Sequence, residues 1–131
     1  MKVLALDHGR ARTGVAVSDP TGILARPLPA IPRVDSPAGR AALDAVIASE
    51  APERIVVGDP RHLSGERGAQ SREAAAFAQR LRRRVGVPVE MVDERLTTVE
   101  AARRAREAGA RGDPDSLAAC VLLEAYLARN R

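Results

Sequence analysis

The sequence predicts an α/β domain in which a mixed β-sheet is flanked by helices. Three observations carry this prediction: an unbroken apolar run at residues 3–6, short turns after each of the first two strands, and two later apolar runs that each follow a helical pattern. Short turns join antiparallel strands, whereas a strand, a helix and a further strand at this spacing form a parallel crossover. The predicted order is β-β-β-α-β-α-β-α-α, in one domain over residues 1–131.

The first three strands are predicted from apolar runs and turn residues. Val3-Leu4-Ala5-Leu6 is apolar throughout, as expected of a central strand covered on both faces. A second strand spans 14–18, and a turn at 19–22 leads to a third strand that begins at 23–26. The prolines at positions 27, 29 and 32 cannot donate to a β-ladder, so the third strand is predicted at the edge of the sheet.

The middle of the chain alternates between helical and strand patterns. Ser36-Pro37 is typical of a helix start, and that helix is predicted to end near residues 51–52. Strands follow at 55–57 and 88–92. Between them we predict a mobile polar loop over 61–71 and a helix from about Arg72 to Val85.

Two helices complete the predicted fold. Thr97-x-x-Glu100 has the form of a capping box, so a small helix is expected to start there and to end near Gly109. The last helix is predicted to begin at Asp113-Pro114. It is apolar around most of its circumference and should pack against the sheet.

The composition limits the classes of function. Lysine and arginine number 21 against 17 acidic residues, and this basic balance favours a nucleic-acid partner. Aromatic residues make up only 2% of the chain, which argues against an RRM- or OB-like platform for stacking bases. Cys120 is the single cysteine, so no intramolecular disulfide is possible. Nothing resembles a signal peptide or a membrane span, and a cytoplasmic protein with no membrane partner is expected.

Three carboxylates stand at element boundaries that can converge. Asp7 ends the first strand, Glu94 ends the last strand, and Asp115 lies in the first turn of the last helix. The carboxyl ends of parallel strands share one side of a sheet, so Asp7 and Glu94 are expected at one rim that Asp115 can cap. Each residue has a structural alternative: a turn at Asp7, a surface ion pair for Glu94, and a favourable helix dipole for Asp115.

Carboxylate oxygens without histidine or cysteine select Mg²⁺ or Mn²⁺ rather than zinc. Two such ions ~3.5–4 Å apart activate a water and stabilise the leaving oxygen in phosphodiester hydrolysis. The three acids therefore predict a divalent metal cofactor and nuclease chemistry, provided that the substrate phosphate supplies further oxygen ligands.

The sequence resembles the YqgF/RuvX family of Holliday-junction-resolvase-like or pre-16S rRNA nucleases. The matching stretches are LALDHGRARTGVAVSD, VVGDPRHLSGERG, VDERLTT and PDSLAACVLLEAYL. The resemblance implies a ribonuclease H-like fold: a mixed five-stranded sheet in the order 3-2-1-4-5, with strand 2 antiparallel and about four helices. It also implies metal-dependent cleavage that matures the 5′ end of 16S rRNA, with Asp7, Glu94 and Asp115 as the catalytic acids and metal ligands.

Substrate-binding residues are predicted from glycine and arginine near these acids. Glycine permits close approach of a ligand, and arginine suits bidentate contacts with phosphate. The candidates are Gly9, Arg10, Arg12, Arg67, Arg72 and Arg95.

Two positions depart from the pattern of the family. Asp59 stands where an apolar residue is usual, at the end of the strand between those of Asp7 and Glu94. We hypothesise that Asp59 is an auxiliary metal or water ligand, with a simple Asp-Pro turn as the alternative. The lysine that is common before the last acid is not evident, and Arg111 is the nearest base.

Other functions remain open at the level of sequence. A DNA junction resolvase has the same chemistry but must cut two strands symmetrically, so it should be a homodimer rather than a monomer. A phosphate loop of the sugar-kinase and actin-like type needs two lobes, and this chain has the length of one. A non-catalytic RNA-binding module, in which the acids are structural, is the alternative from another class.

Overall fold

The computed structural model describes residues 1–109 and 112–130. It contains the predicted elements in the predicted order. The strands are β1 (Val3–Asp7), β2 (Arg12–Ser18), β3 (Ala25–Pro32), β4 (Arg54–Asp59) and β5 (Val89–Asp93). The helices are α1 (Pro37–Glu50), α2 (Ala69–Arg82), α3 (Val99–Gly109) and α4 (Leu117–Arg129), with short 3-10 turns at Glu94–Leu96 and Pro114–Ser116.

The five strands form one mixed sheet in the order β3-β2-β1-β4-β5. β2 is antiparallel to β1 and β3, whereas β4 is parallel to β1 and β5. β1 is therefore central, and the proline-containing β3 lies at an edge, as the sequence predicts. Because β1, β4 and β5 run in the same direction, their carboxyl ends share one rim.

The sheet is covered on both faces by helices. Side chains of β1 alternate between the two faces: Leu4 and Leu6 pack with α1 and α2, whereas Val3 and Ala5 pack with α3 and α4. We call these the α1/α2 face and the α3/α4 face. Cys120 is fully buried on the α3/α4 face, where it packs as a small core residue.

Several predicted boundaries were wrong. The last helix begins at Leu117 rather than at Asp113-Pro114, because Pro114–Ser116 forms a 3-10 turn. Ile23 and Leu24 belong to the turn before β3, because both of their backbone N–H groups donate to the Asp19 carboxylate. α2 begins at Ala69 rather than near Arg72, so the polar loop is shorter than predicted. Val85 lies beyond the end of α2, although it packs against the core.

The capping residue of α3 also differs from the prediction. The hydroxyl of Thr98, not that of Thr97, accepts the hydrogen bond from the Ala101 N–H. The Thr97 hydroxyl instead donates to the carbonyl of Glu94 and closes the preceding 3-10 turn. None of the helices in the described ranges is long and apolar enough to cross a membrane.

Candidate active site

Asp7 and Glu94 meet at the rim formed by the carboxyl ends of the parallel strands. Asp7 is the last residue of β1, and Glu94 opens the 3-10 turn after β5 rather than ending the strand. In its protonated form Glu94 donates a hydrogen bond to the carboxylate of Asp7. We call these two residues the acid pair.

Gly58 explains how Glu94 reaches a carboxylate that lies two strands away. β4 separates β1 from β5. Leu6 of β1 pairs with Val57 of β4, so the next residues, Asp7 and Gly58, lie side by side. A Cβ atom at Gly58 would lie 3.1 Å from Cδ and 3.3 Å from Cγ of Glu94. The Glu94 side chain therefore crosses β4 over the one position that has no side chain.

Burial raises the pKa of both members of the acid pair. Burial is the main cause for Asp7, although the hydrogen bond from Glu94 opposes it. Burial, the charge of Asp7 and the hydrogen bond to it raise the pKa of Glu94 to about 7, and Asp59 and Asp93 add to this effect. Neither carboxylate has a lysine or arginine ion-pair partner within residues 1–109 and 112–130.

Asp115 lies at the same rim, in the 3-10 turn before α4. This turn packs over Gly14, which pairs with Asp7 in the sheet; a Cβ atom at Gly14 would lie 3.4 Å from the Asp115 carbonyl oxygen. The buried Ser116 fixes the turn, because its hydroxyl accepts from the Val15 N–H and donates to the Leu28 carbonyl. Two glycines thus flank Asp7, and each permits a segment that carries another acid to come close.

The Asp115 carboxylate does not join the acid pair directly. It accepts a hydrogen bond from Arg12 Nη1 at 3.1 Å, and it is about half exposed. In the part of the chain that the structure describes, no group of three acidic, histidine or cysteine side chains is close enough to share a metal ion. The structure therefore brings two of the three predicted acids together and places the third at the same rim with an arginine partner.

Asp59 and Asp93 lie on the opposite face of the same rim. They are paired in register at the ends of β4 and β5, on the α1/α2 face. Arg61 and Arg67 bind Asp59, and Arg95 binds Asp93, lowering the pKa of Asp93 to about 2. We call Asp59 and Asp93 the arginine-bound acids. These contacts do not support the hypothesis that Asp59 is an auxiliary metal ligand.

The predicted substrate-binding residues lie in several environments. A Cβ atom at Gly9 would lie 2.3 Å from the Arg12 carbonyl oxygen, so the tight turn alone requires this glycine. Arg10 is highly exposed and pairs with Glu73 of α2. Arg72 is exposed and donates to the Arg67 carbonyl. Arg111, the predicted nearest base to Asp115, lies outside the described residues.

Sequence reasoning missed the residues that bring the acids together. These are Gly14, Gly58 and Ser116, and their roles depend on which strands are neighbours. The sequence does offer one signal: Gly58 lies near the end of a buried strand, directly before Asp59. A glycine in a strand often marks a place where another group comes close.

The strand order and the acid pair define the class of protein. It is a ribonuclease H-like domain with two carboxyl groups at the end of its central strand. The family model of RuvX, described as Holliday junction resolvase, matches residues 1–129. The chain belongs to this family.

Curated relatives and solved structures agree with this assignment. A protein of Rhodococcus opacus named "Putative pre-16S rRNA nuclease" is 47% identical, and the match covers 95% of this chain and 75% of the relative. One of Moorella thermoacetica with the same name is 41% identical, with 98% and 96% covered. Among solved structures, Thermus thermophilus RuvC in complex with Holliday junction substrate has a TM-score of 0.62 at 21% identity, with 99% and 96% covered. At this identity the likeness supports the fold alone.

Proposed function

We propose that this protein is a divalent-metal-dependent nuclease that hydrolyses phosphodiester bonds in precursor rRNA, at the 5′ end of the pre-16S molecule. The observation that carries the proposal is the acid pair, two carboxyl groups in contact with no lysine or arginine ion-pair partner among the described residues. Relatives that carry the name of a pre-16S rRNA nuclease support the choice of substrate. We place its activity in the cytoplasm, where bacterial rRNA is processed.

The donor set of the acid pair fits Mg²⁺ or Mn²⁺. Asp7 and Glu94 offer only carboxylate oxygens, which these cations prefer, and a bound cation offsets the cost of burying negative charge that raises their pKa values. Asp115 would complete the set from the far side of Asp7. When bound, such a metal lowers the pKa of water and stabilises negative charge on phosphate oxygens.

The protein's own side chains prepare this site for a phosphate group. Asp7 and Glu94 must lose the proton that they share before both carboxylates are free to bind. Arg12 holds the exposed Asp115 carboxylate and has an exposed guanidinium of its own, so it is placed to contact a phosphate beside the acids. Arg10 and Arg72 are exposed at the same end of the molecule and extend the positive surface for a nucleic-acid backbone.

The test is a cleavage assay with purified protein and two substrates: an RNA that spans the 5′ precursor of 16S rRNA, and a four-way DNA junction. We expect the RNA to be cut with Mn²⁺ or Mg²⁺, not with chelator, and not by Asp7→Asn. Asp44→Asn is the matched control, because Asp44 is an exposed acid that pairs with Arg84 far from the rim. Equal cleavage by Asp7→Asn would mean a contaminating nuclease and would overturn the proposal.

A junction resolvase is the second candidate, favoured by the description of the family. Symmetric cleavage of the DNA junction by a protein that sediments as a dimer would support it over the first. Tight RNA binding without cleavage of either substrate would instead indicate a binding module.

A further inference from the structure

Asp59 is a buried carboxylate that is bound by three side chains. It is 4% exposed, and it follows Gly58 directly, on the opposite face of β4 from Glu94. The Ser71 hydroxyl donates to Oδ1. Arg61 Nε donates to Oδ2 at 2.8 Å, and Arg67 Nη2 lies 3.4 Å from the same oxygen. Both carboxylate oxygens are therefore occupied by protein donors.

The two arginines connect Asp59 to the loop between β4 and α2, residues 60–68. Arg61 Nη1 also donates to the Gly65 carbonyl at 3.0 Å, across the loop. Arg67 Nη1 donates to the Ser71 hydroxyl at 3.2 Å, at the start of α2. Asp59 thus holds both ends of the 60–68 loop through two arginines, in addition to the hydrogen bonds within the loop.

A third arginine ties the tip of this loop to the end of β5. Arg95 Nη1 donates to the Leu63 carbonyl at 3.2 Å, while its other nitrogens bind Asp93. The Leu63 side chain is 94% exposed despite being apolar. Arg61 and Arg67 keep about a third of their side-chain surface exposed. The loop therefore presents an apolar tip and two partly exposed arginine side chains next to the rim that carries Glu94.

We propose that Asp59 is a positioning residue that preorganises the 60–68 loop as a contact for the nucleic-acid strand beside the cleaved bond. This inference rests on the proposed function, which supplies the ligand, a precursor rRNA. The exposed parts of Arg61 and Arg67 meet backbone phosphates, and Leu63 packs on the face of a base or sugar. Asp59 reaches the substrate only through these residues and does not hold the metal.

A fixed loop binds more tightly than a mobile one because its ordering entropy is already lost before the substrate arrives. Asp59→Asn keeps the shape of the side chain but removes the charge that holds both arginines. We expect the Kd for the precursor RNA, measured without metal, to rise about tenfold, because the loop must then be ordered on binding. Hydrogen exchange of residues 60–68 should become faster in the free variant.

The cleavage kinetics and metal affinity separate a positioning role from the alternatives. We compare Asp59→Asn with wild type at pH 8, where Glu94 is ionised in both proteins. We expect KM to rise about tenfold with kcat within about twofold of wild type, because the chemistry at the acid pair is then the same. Mn²⁺ affinity, measured by calorimetry, should stay within about twofold. Asp44→Asn, which removes another arginine-paired acid, should change none of these quantities.

Arg61→Gln tests the same contact from the exposed side if Asp59→Asn folds poorly. The double variant Asp59→Asn/Arg61→Gln should bind RNA no more weakly than the worse single variant, because both changes break one network.

A fall in Mn²⁺ affinity in Asp59→Asn would overturn the proposal in favour of a metal ligand. An unchanged RNA Kd together with faster loop exchange would overturn it in favour of a purely structural role. RNA binding and hydrogen exchange require no cleavage, so these results stand even if the protein proves not to be a nuclease.

Discussion

The acid pair and the arginine-bound acids lie at one rim of one sheet, yet their environments are opposite. Glu94 contacts Asp7 with no described basic partner, and its pKa is raised to about 7. Asp93, the preceding residue, binds Arg95 and has a pKa lowered to about 2. These adjacent residues differ because Asp93 ends β5 on the α1/α2 face, whereas Glu94 opens the 3-10 turn and its side chain lies over Gly58. The partners of these acids, not their residue type, therefore decide whether the pKa of the carboxyl group is raised or lowered.

The two faces differ in which segments cover them near the rim. On the α1/α2 face, the loop before α2 supplies Arg61 and Arg67. On the α3/α4 face, glycines at 14 and 58 leave room for acid-bearing segments. On this side Arg12 binds Asp115 rather than the acid pair.

The largest expected effect is on catalysis. Asp7→Asn should lower the cleavage rate by at least about a thousandfold, because a divalent ion contributes several kcal/mol to such reactions. Asp93→Asn should lower it by less than about fivefold, because Asp93 faces the other side of the sheet. Both rates are measured under single-turnover conditions with saturating Mn²⁺. Similar losses in the two variants would remove the functional distinction between the two acid sites.

Gly58→Ala tests how Glu94 is brought to Asp7. The added Cβ atom would lie 3.1 Å from Cδ of Glu94, so the carboxylate must shift away from Asp7. We expect Mn²⁺ affinity, measured by calorimetry, to fall about tenfold while the fold is retained, since the contact lies near the end of a flexible side chain. Gly86→Ala is the control, because nothing lies within 4 Å of a Cβ atom there. Unchanged affinity in Gly58→Ala would show that Glu94 does not need this path.

The fold could be predicted from the sequence because its signals are local. The apolar β1, the prolines of β3 and the serine cap of α1 each determine their own element, and the structure confirms all three. Boundaries failed where side chains compete with the backbone, as Asp19 does for the N–H groups of Ile23 and Leu24. The strand order came from the family resemblance rather than from these signals.

The candidate site could be predicted only in part. The convergence of Asp7 and Glu94 follows from two strands with their carboxyl ends at one rim. The partners of Asp59 could not be predicted, because whether an acid at the end of a strand meets an arginine depends on loop conformation and on which face it occupies. The same limit applies to Arg12 and Asp115, which are 103 residues apart in the chain.

The cation affinity should depend on pH in a way that identifies the acid pair. The pKa of Glu94 is raised to about 7, so the pair retains a proton below that pH and must release it to bind a metal. Mn²⁺ affinity should therefore rise about tenfold per unit between about pH 5.5 and 7 and level off above, since one proton is released per ion. Calorimetry in buffers with different ionisation enthalpies measures the number of protons released per bound ion. Affinity that does not vary with pH would contradict the shared proton.

The smallest effects are on the stability of the metal-free protein, and their signs should be opposite. The raised pKa of Glu94 destabilises the fold progressively as pH rises from the ordinary value of 4.5 to about 7, and in full above that. At pH 8, Glu94→Gln should therefore increase the free energy of unfolding by about 1 kcal/mol. Asp93 has a lowered pKa, so it stabilises the fold at this pH. It also accepts the Arg95 N–H at the start of its 3-10 turn. Asp93→Asn should decrease the free energy of unfolding by about 1 kcal/mol. Urea denaturation measures both, and changes of the same sign would contradict the contrast.

The most direct test of the cation site is thermal unfolding with and without Mn²⁺ in wild type, Asp7→Asn and Asp93→Asn. At a concentration of about 100 times its Kd, a ligand that binds only the folded state adds about 2.7 kcal/mol of stability. We predict that Mn²⁺ raises the Tm of wild type and of Asp93→Asn by several degrees and leaves that of Asp7→Asn unchanged. An equal rise in Asp7→Asn, or no rise in wild type, would contradict the assignment of the acid pair as the metal site.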